Sequence, residues 1–210
     1  MRLSPPDAEV HDLSLRRAGS SARRKQAEVL DHATWRGRLA TRLSLHTDER
    51  AWRMGAEGEE PVARQLSKLD PARWLVLHDI AIGTRGANVD HLVVGPGGVF
   101  TLNTKNVRGK VWVAERVFMT NGHRTDYLPK AVREAERVSR LLSRAVGGIV
   151  PVRGVIVVMC DSFKVKAQPL DVTVVRRREV RPWLEKRPTA LAPDHIDRIA
   201  DAAAAPRTWY

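Results

Sequence analysis

An α/β fold, a central mixed β-sheet flanked by helices, is predicted by three observations. Residues 88–106 read as two apolar, β-branched runs folded back through Gly95-Pro96-Gly97-Gly98. Residues 129–146 repeat apolar side chains at helical spacing, and residues 152–159 form the unbroken β-branched run of a buried strand that follows a helix. Strand, hairpin, helix and strand in that order build a layered α/β sandwich.

The composition suits one domain with an extension. The chain has 210 residues, 43% of them hydrophobic, enough for a proper core. Lys+Arg 36 against Asp+Glu 24 leaves a net charge of +12, a bias toward polyanionic partners. The single cysteine, Cys160, cannot form an intramolecular disulfide and is expected as an inert core thiol in a reducing compartment. No run approaches the ~20 apolar residues of a membrane helix, and the start lacks a signal peptide's apolar stretch. A cytoplasmic protein with no membrane partner is therefore expected.

Residues 1–20, with Pro5-Pro6 and no sustained period, read as a disordered tail. Residues 21–46 read as a basic helical extension carrying Arg23, Arg24, Lys25, Arg36, Arg38 and Arg42, and the domain itself is expected over residues 47–205. It opens with Thr47 as a helix cap. On a continuous helix Trp52, Gly55, Ala56, Glu59, Val62, Ala63 and Leu66 share a stripe, so Glu59 falls on the face that packs on the sheet. A carboxylate there costs several kcal/mol unless paired or metal-bound, which marks Glu59 as a candidate. Pro61 implies either a kink near Glu57 or a new helix near Glu60.

Trp74–Ile80 is the next expected strand, and the hairpin follows. Centring its turn between Pro96 and Gly97 sets Val94 opposite Val99 and Asp90 opposite Asn103. Opposed residues have Cβ atoms about 4.5–5.5 Å apart and alternate residues share a face, so Asp90, Asn103 and Lys105 converge. His91 points to the other face and is expected to pack or make a structural hydrogen bond. Short strands are expected at 110–113 and 115–119, with Asn121-Gly122 turning into 123–125. In the helix from Pro129, Arg133, Arg137, Arg140 and Arg144 lie within a band of roughly 60°. This stripe is either a phosphate-binding surface or a solvated face partly neutralised by Glu134 and Glu136. After the 152–159 strand come an exposed segment at 161–171, a strand at 172–175, and helices at 180–185 and 193–204. The seven histidines show no zinc spacing, the glycines lack the Lys-Ser/Thr of a phosphate loop, and no G-x-S-x-G occurs.

The run Gly55-Ala56-Glu57-Gly58-Glu59, then Asn88-Val89-Asp90-His91, then Gly98-Val99-Phe100 leading into Thr104-Lys105-Asn106 and Gly109, resembles the nuclease-related domain family over about Met54 to Val158. That family is similar to the PD-(D/E)xK restriction-endonuclease-like superfamily. The resemblance implies a restriction-endonuclease-like sheet and hydrolysis of phosphodiester bonds in nucleic acid, DNA ahead of RNA. It further implies Mg²⁺, with Mn²⁺ as a substitute, held by Asp90, Asn103, Glu59 and the Thr104 backbone carbonyl, with Lys105 orienting the attacking water. Asn103 departs from the pattern, since the family usually has Glu there. Two functions stay open: an attenuated Mg²⁺-dependent nuclease, or a non-catalytic nucleic-acid-binding module with a decayed site.

Overall fold

The computed structural model describes residues 59–82 and 87–210. The expected tail, the basic extension, the Thr47 cap and the Gly55–Gly58 motif lie outside the described residues. Residues 59–66 are helical (α1). Strands β1 (Leu75–Ile82), β2 (Ala87–Gly95) and β3 (Gly98–Asn106) follow, then β4 (Lys110–Ala114), β5 (Val117–Thr120) and β6 (His123–Arg124). Helix α2 (Tyr127–Val146) leads to β7 (Val152–Met159), β8 (Ser162–Val165) and β9 (Val172–Arg176); α3 (Val180–Glu185) and α4 (Pro193–Ala204) complete the order.

Two mixed sheets are present. The larger has the order β1-β2-β3-β7-β9 and the smaller β6-β5-β4-β8. The second sheet was not anticipated. The expected exposed segment at 161–171 contains β8, which pairs in parallel with β4, Lys110 facing Ser162 and Val113 facing Val165. Half of its residues face solvent and its partner lies some fifty residues earlier, so no local pattern betrays it.

The hairpin takes the predicted register, with Val94↔Val99 and Gly95↔Gly98. Its tip is fastened from outside, because the amides of Ala190 and Leu191 both donate to the Pro96 carbonyl, at 2.7 and 3.1 Å. From β3 the sheet turns parallel, since β7 returns beside it only after the β4–β6 excursion and α2. Aliphatic side chains fill both faces. Val138 and Leu142 of α2 pack with Leu92, Val94 and Val99 on one face. Val62 and Leu66 of α1 pack with Val93, Phe100 and Leu102 on the other.

Of the apolar face expected for helix α2, Val132, Ala135, Val138, Leu142 and Ala145, the middle three are buried, joined by Leu128 and Ala131, whereas Val132 is half-buried and Ala145 exposed; Gly147 ends the helix in the left-handed conformation at φ 74°. Two of its serines grip the entry to β7, Ser139 Oγ donating to the Val150 carbonyl at 2.6 Å and Ser143 Oγ accepting from the Val150 amide at 2.9 Å. Gly154 in β7 lets the helix lie close. A Cβ there would come within 2.9 Å of the Ala131 carbonyl oxygen. Gly154→Ala should therefore push α2 off the sheet and cost about 1–3 kcal/mol as an overpacked contact, read as a lower urea midpoint with unchanged slope.

Candidate active site

The site begins where strand pairing stops. Asp79 in β1 is buried and holds φ 56°, a left-handed conformation that Asp tolerates better than most residues. One such residue reverses the strand's alternation, so Leu77, Ile80 and Ile82 all reach the same core cluster. The β1–β2 ladder runs through His78↔His91 and resumes at Ile80↔Val89 around this kink. The β2–β3 ladder ends at His91↔Leu102, one pair short of the expected Asp90 opposite Asn103. Beyond it the Asp90 side chain takes over, and its Oδ2 accepts the Thr104 backbone N–H at 2.7 Å. A carboxylate thus satisfies an amide that the ladder would otherwise have paired.

On the β3 side, Lys105 Nζ donates to Asn103 Oδ1 and stands 5.1 Å from the centre of the Tyr127 ring. The Asn103 amide nitrogen donates in turn to Glu134 Oε2 at 3.4 Å. Glu134 belongs to α2, three residues after Ala131 and four before Val138, and so lies on the helix face turned to the sheet. Its place on this face disagrees with the solvated-face alternative for the arginine stripe, in which Glu134 would neutralise arginines in water. The same stripe test that singled out Glu59 applies to Glu134, because an acid at i+3 from one buried residue and i−4 from another shares their helix face.

Burial dominates the electrostatics. It raises the carboxyl of Asp90 above its ordinary range, with the nearby Asp79 adding to the rise and Lys105 and the Thr104 amide opposing it. Burial and then the charge of Asp90 push Glu134 up from 4.5 to about 8, against the pull of Lys105 and Asn103. His78 and His91 share an Nδ1···Nδ1 hydrogen bond of 2.8 Å, which requires one proton between the two nitrogens. Burial first, and then His78, depress His91 to about 3, so it remains neutral. This is the structural hydrogen bond expected of His91.

Asn103, Lys105 and Glu134 line a cavity of about 490 Å³ together with Asn88, Tyr127, Lys130, Arg133 and Arg137. Among the described residues no three His, Cys, Asp or Glu side chains cluster as a metal-binding group. Two carboxylates and an amide oxygen are nonetheless hard donors of the kind Mg²⁺ accepts while keeping several waters. Among the described residues, five buried side-chain atoms lack a hydrogen-bond partner, and all belong to β2, β3 or Glu134: Asn88 Oδ1, His91 Nε2, Thr101 Oγ1, Thr104 Oγ1 and Glu134 Oε1. Unpaired buried polar atoms are rare, and two of these, Asn88 Oδ1 and Glu134 Oε1, belong to residues that line the cavity, where a cation would find oxygen donors.

The other expected site residues are scattered. Glu59 is half-buried at the first described residue of α1, whose core contacts lie on the sheet face opposite α2, and it does not line the cavity. The arginine stripe divides. Arg133 and Arg137 line the cavity, Arg137 also donating to the Ile82 carbonyl at 3.0 Å, while Arg140 is exposed and Arg144 joins Arg198 and Arg207 at a different cavity. Cys160 is half-buried, not a core thiol, with its Sγ 3.3 Å from the Ser162 carbonyl oxygen.

The raised carboxyl of Glu134 has a stability consequence of definite sign. The folded protein holds this proton up to about pH 8 whereas the unfolded chain releases it near 4.5, so metal-free stability falls as pH rises between those values. Glu134→Gln should flatten that slope and melt higher than wild type at pH 8 in EDTA. A slope unchanged in thermal melts across this range would place the titrating group elsewhere.

The family model described as nuclease-related domain matches residues 54–159. An uncharacterized protein of Bacillus anthracis is 40% identical over 65 residues, 30% of this chain and 31% of that protein. The chain therefore matches less than a third of that curated relative's length. No solved structure matches it. Among the described residues no helix is long and apolar enough to cross a membrane. The family match covers the hairpin, both polar strand ends and Glu134, and the chain belongs to the nuclease-related domain family.

Proposed function

We propose that this domain is a Mg²⁺-dependent phosphodiester hydrolase acting on nucleic acid, DNA ahead of RNA. The observation that carries the reading is the half-buried set of Asp90, Asn103, Lys105 and Glu134 at a cavity also lined by Lys130, Arg133 and Arg137. A purely structural ion pair does not need a second acid, and here the charge of Asp90 adds to the burial that raises Glu134. A substrate phosphate entering the cavity would meet four cationic side chains at its wall, Lys105 among them.

Asp90 is the principal metal ligand in this reading, with the Asn103 and Thr104 carbonyl oxygens and Glu134 completing the protein's share. Glu134 supplies from α2 the charge that Asn103 lacks on β3. These residues would hold Mg²⁺, or Mn²⁺ in its place, which would supply charge neutralisation at phosphate and a more acidic water. The remaining work falls to side chains. Lys105, fixed by Asn103 and the Tyr127 ring, orients the attacking water and offsets charge developing on phosphorus oxygens. Water adds across one P–O bond, leaving a phosphomonoester and a free hydroxyl. Glu59 is the alternative helix-borne acid.

Asp90→Ala, Lys105→Ala and Glu134→Gln should each lower metal-dependent cleavage of labelled DNA by at least about a hundredfold while preserving the circular dichroism spectrum. If Glu59→Gln abolishes cleavage and Glu134→Gln does not, the acid role passes to Glu59. Binding that persists in EDTA, with no cleavage in Mg²⁺ or Mn²⁺, would instead support the decayed, binding-only module.

Asn103→Glu adds a third carboxylate to a pocket already crowded with negative charge. The metal-free variant should melt lower than wild type, and Mg²⁺ should raise its Tm more and support cleavage at lower concentration. No gain in Mg²⁺ affinity by calorimetry would remove position 103 from the metal site.

A further inference from the structure

We infer that Arg177 and Arg178, at the end of β9, form a second phosphate subsite that binds the nucleic acid two or three nucleotides away from the phosphate held at Lys105. This rests on the hydrolase reading for the identity of the ligand and on the sheet register for its position. Parallel pairing places Lys105 of β3 beside Val158 of β7, and Val158 beside Arg176 of β9. The polar ends of β3 and β9 therefore share one edge of the sheet, two strand spacings or about 10 Å apart. In open α/β sheets this carboxyl edge of the parallel strands is where ligands bind. One strand of duplex DNA rises about 3.4 Å per nucleotide, so the same backbone can reach both places.

The chemistry at the second place is that of a polyanion site. Val158, Met159, Cys160 and the three consecutive arginines line a cavity of about 330 Å³, with no acid among its lining residues. Arg176 is committed to the fold: its Nη2 donates to the Phe163 carbonyl at 3.2 Å and its guanidinium lies 5.3 Å from the Phe163 ring centre. Its backbone amide donates to Glu179 Oε2 at 3.2 Å. Arg177 and Arg178 have no side-chain hydrogen bond or ion pair with any described residue, so their donors are available to phosphate. Arg176 thus acts as a positioning residue, holding the chain so that the next two guanidinium groups stand at the sheet edge.

The test is binding of fluorescently labelled duplex and single-stranded oligonucleotides to the full chain in EDTA, where no cleavage intervenes. Arg177→Gln/Arg178→Gln should weaken binding at least tenfold and reduce the slope of log affinity against log salt by about 2. Arg198→Gln/Arg207→Gln, which removes equal charge beside the C-terminal end of α2, should leave both nearly unchanged. Wild type should also gain affinity as the oligonucleotide grows from about two to about six nucleotides, and the Arg177/Arg178 variant should lose that step. Equal losses in the two double variants, or none in the first, would overturn the subsite while leaving the hydrolase reading intact. Binding weakened as predicted, with no cleavage by wild type in Mg²⁺, would retain the subsite and remove the catalytic reading. Wild type that binds no nucleic acid would overturn both.

Discussion

The Thr104 N–H that the Asp90 carboxylate accepts at 2.7 Å is the contact on which the rest of the site depends. Sheet pairing ordinarily consumes every backbone donor, which would leave Asp90 to point into water or be expelled. Here the β2–β3 ladder stops at His91↔Leu102 and the carboxylate finishes it. That substitution keeps a charged group inside the sheet and holds the β3 end at fixed distance from β2. It also turns Asn103 and Lys105 toward α2, where Glu134 closes the group. Burial raises the carboxyls of both Asp90 and Glu134, and the charge of Asp90 adds to the rise at Glu134.

Much of this was legible in the residues. The glycine-proline turn fixed the hairpin register, since a one-residue slip would have sent Leu92 and Val94 to the wrong face. The end of α2 and both ends of β7 followed from apolar periodicity and a β-branched run, while α2 starts at Tyr127, two residues before the expected Pro129. What stayed hidden had specific physical causes. Strand β8 pairs nonlocally and shows alternate residues to solvent, so it reads as a loop. The left-handed Asp79 sits inside an otherwise regular strand pattern, and nothing in its neighbours signals a conformation that tertiary packing enforces. Glu134 entered only as part of one alternative for the arginine stripe, although its spacing from Ala131 and Val138 indicated the sheet.

Net charge alone misleads about where a polyanion would lie. The four arginines spaced along α2 do not act as one surface: the first two face the candidate site, whereas Arg144 belongs to a cavity near the other end of the helix. The arginines at the end of β9 come from a different element, yet the parallel register brings them to the edge occupied by Lys105. Strand order, more than helix periodicity, decides which cations can act together.

Gly154 carries a consequence for the protein's genetics. A methyl group at this position meets the Ala131 carbonyl oxygen, 2.9 Å away, and that atom belongs to main chain that every residue type shares. Shrinking the side chain at position 131 therefore cannot make room for it. An intragenic suppressor of Gly154→Ala would have to act at a distance, at the Ser139 and Ser143 anchors, by letting the whole helix ride outward. Such a revertant would recover its fold while carrying Glu134 away from Asn103, so selection for stability and selection for the site would pull α2 in opposite directions.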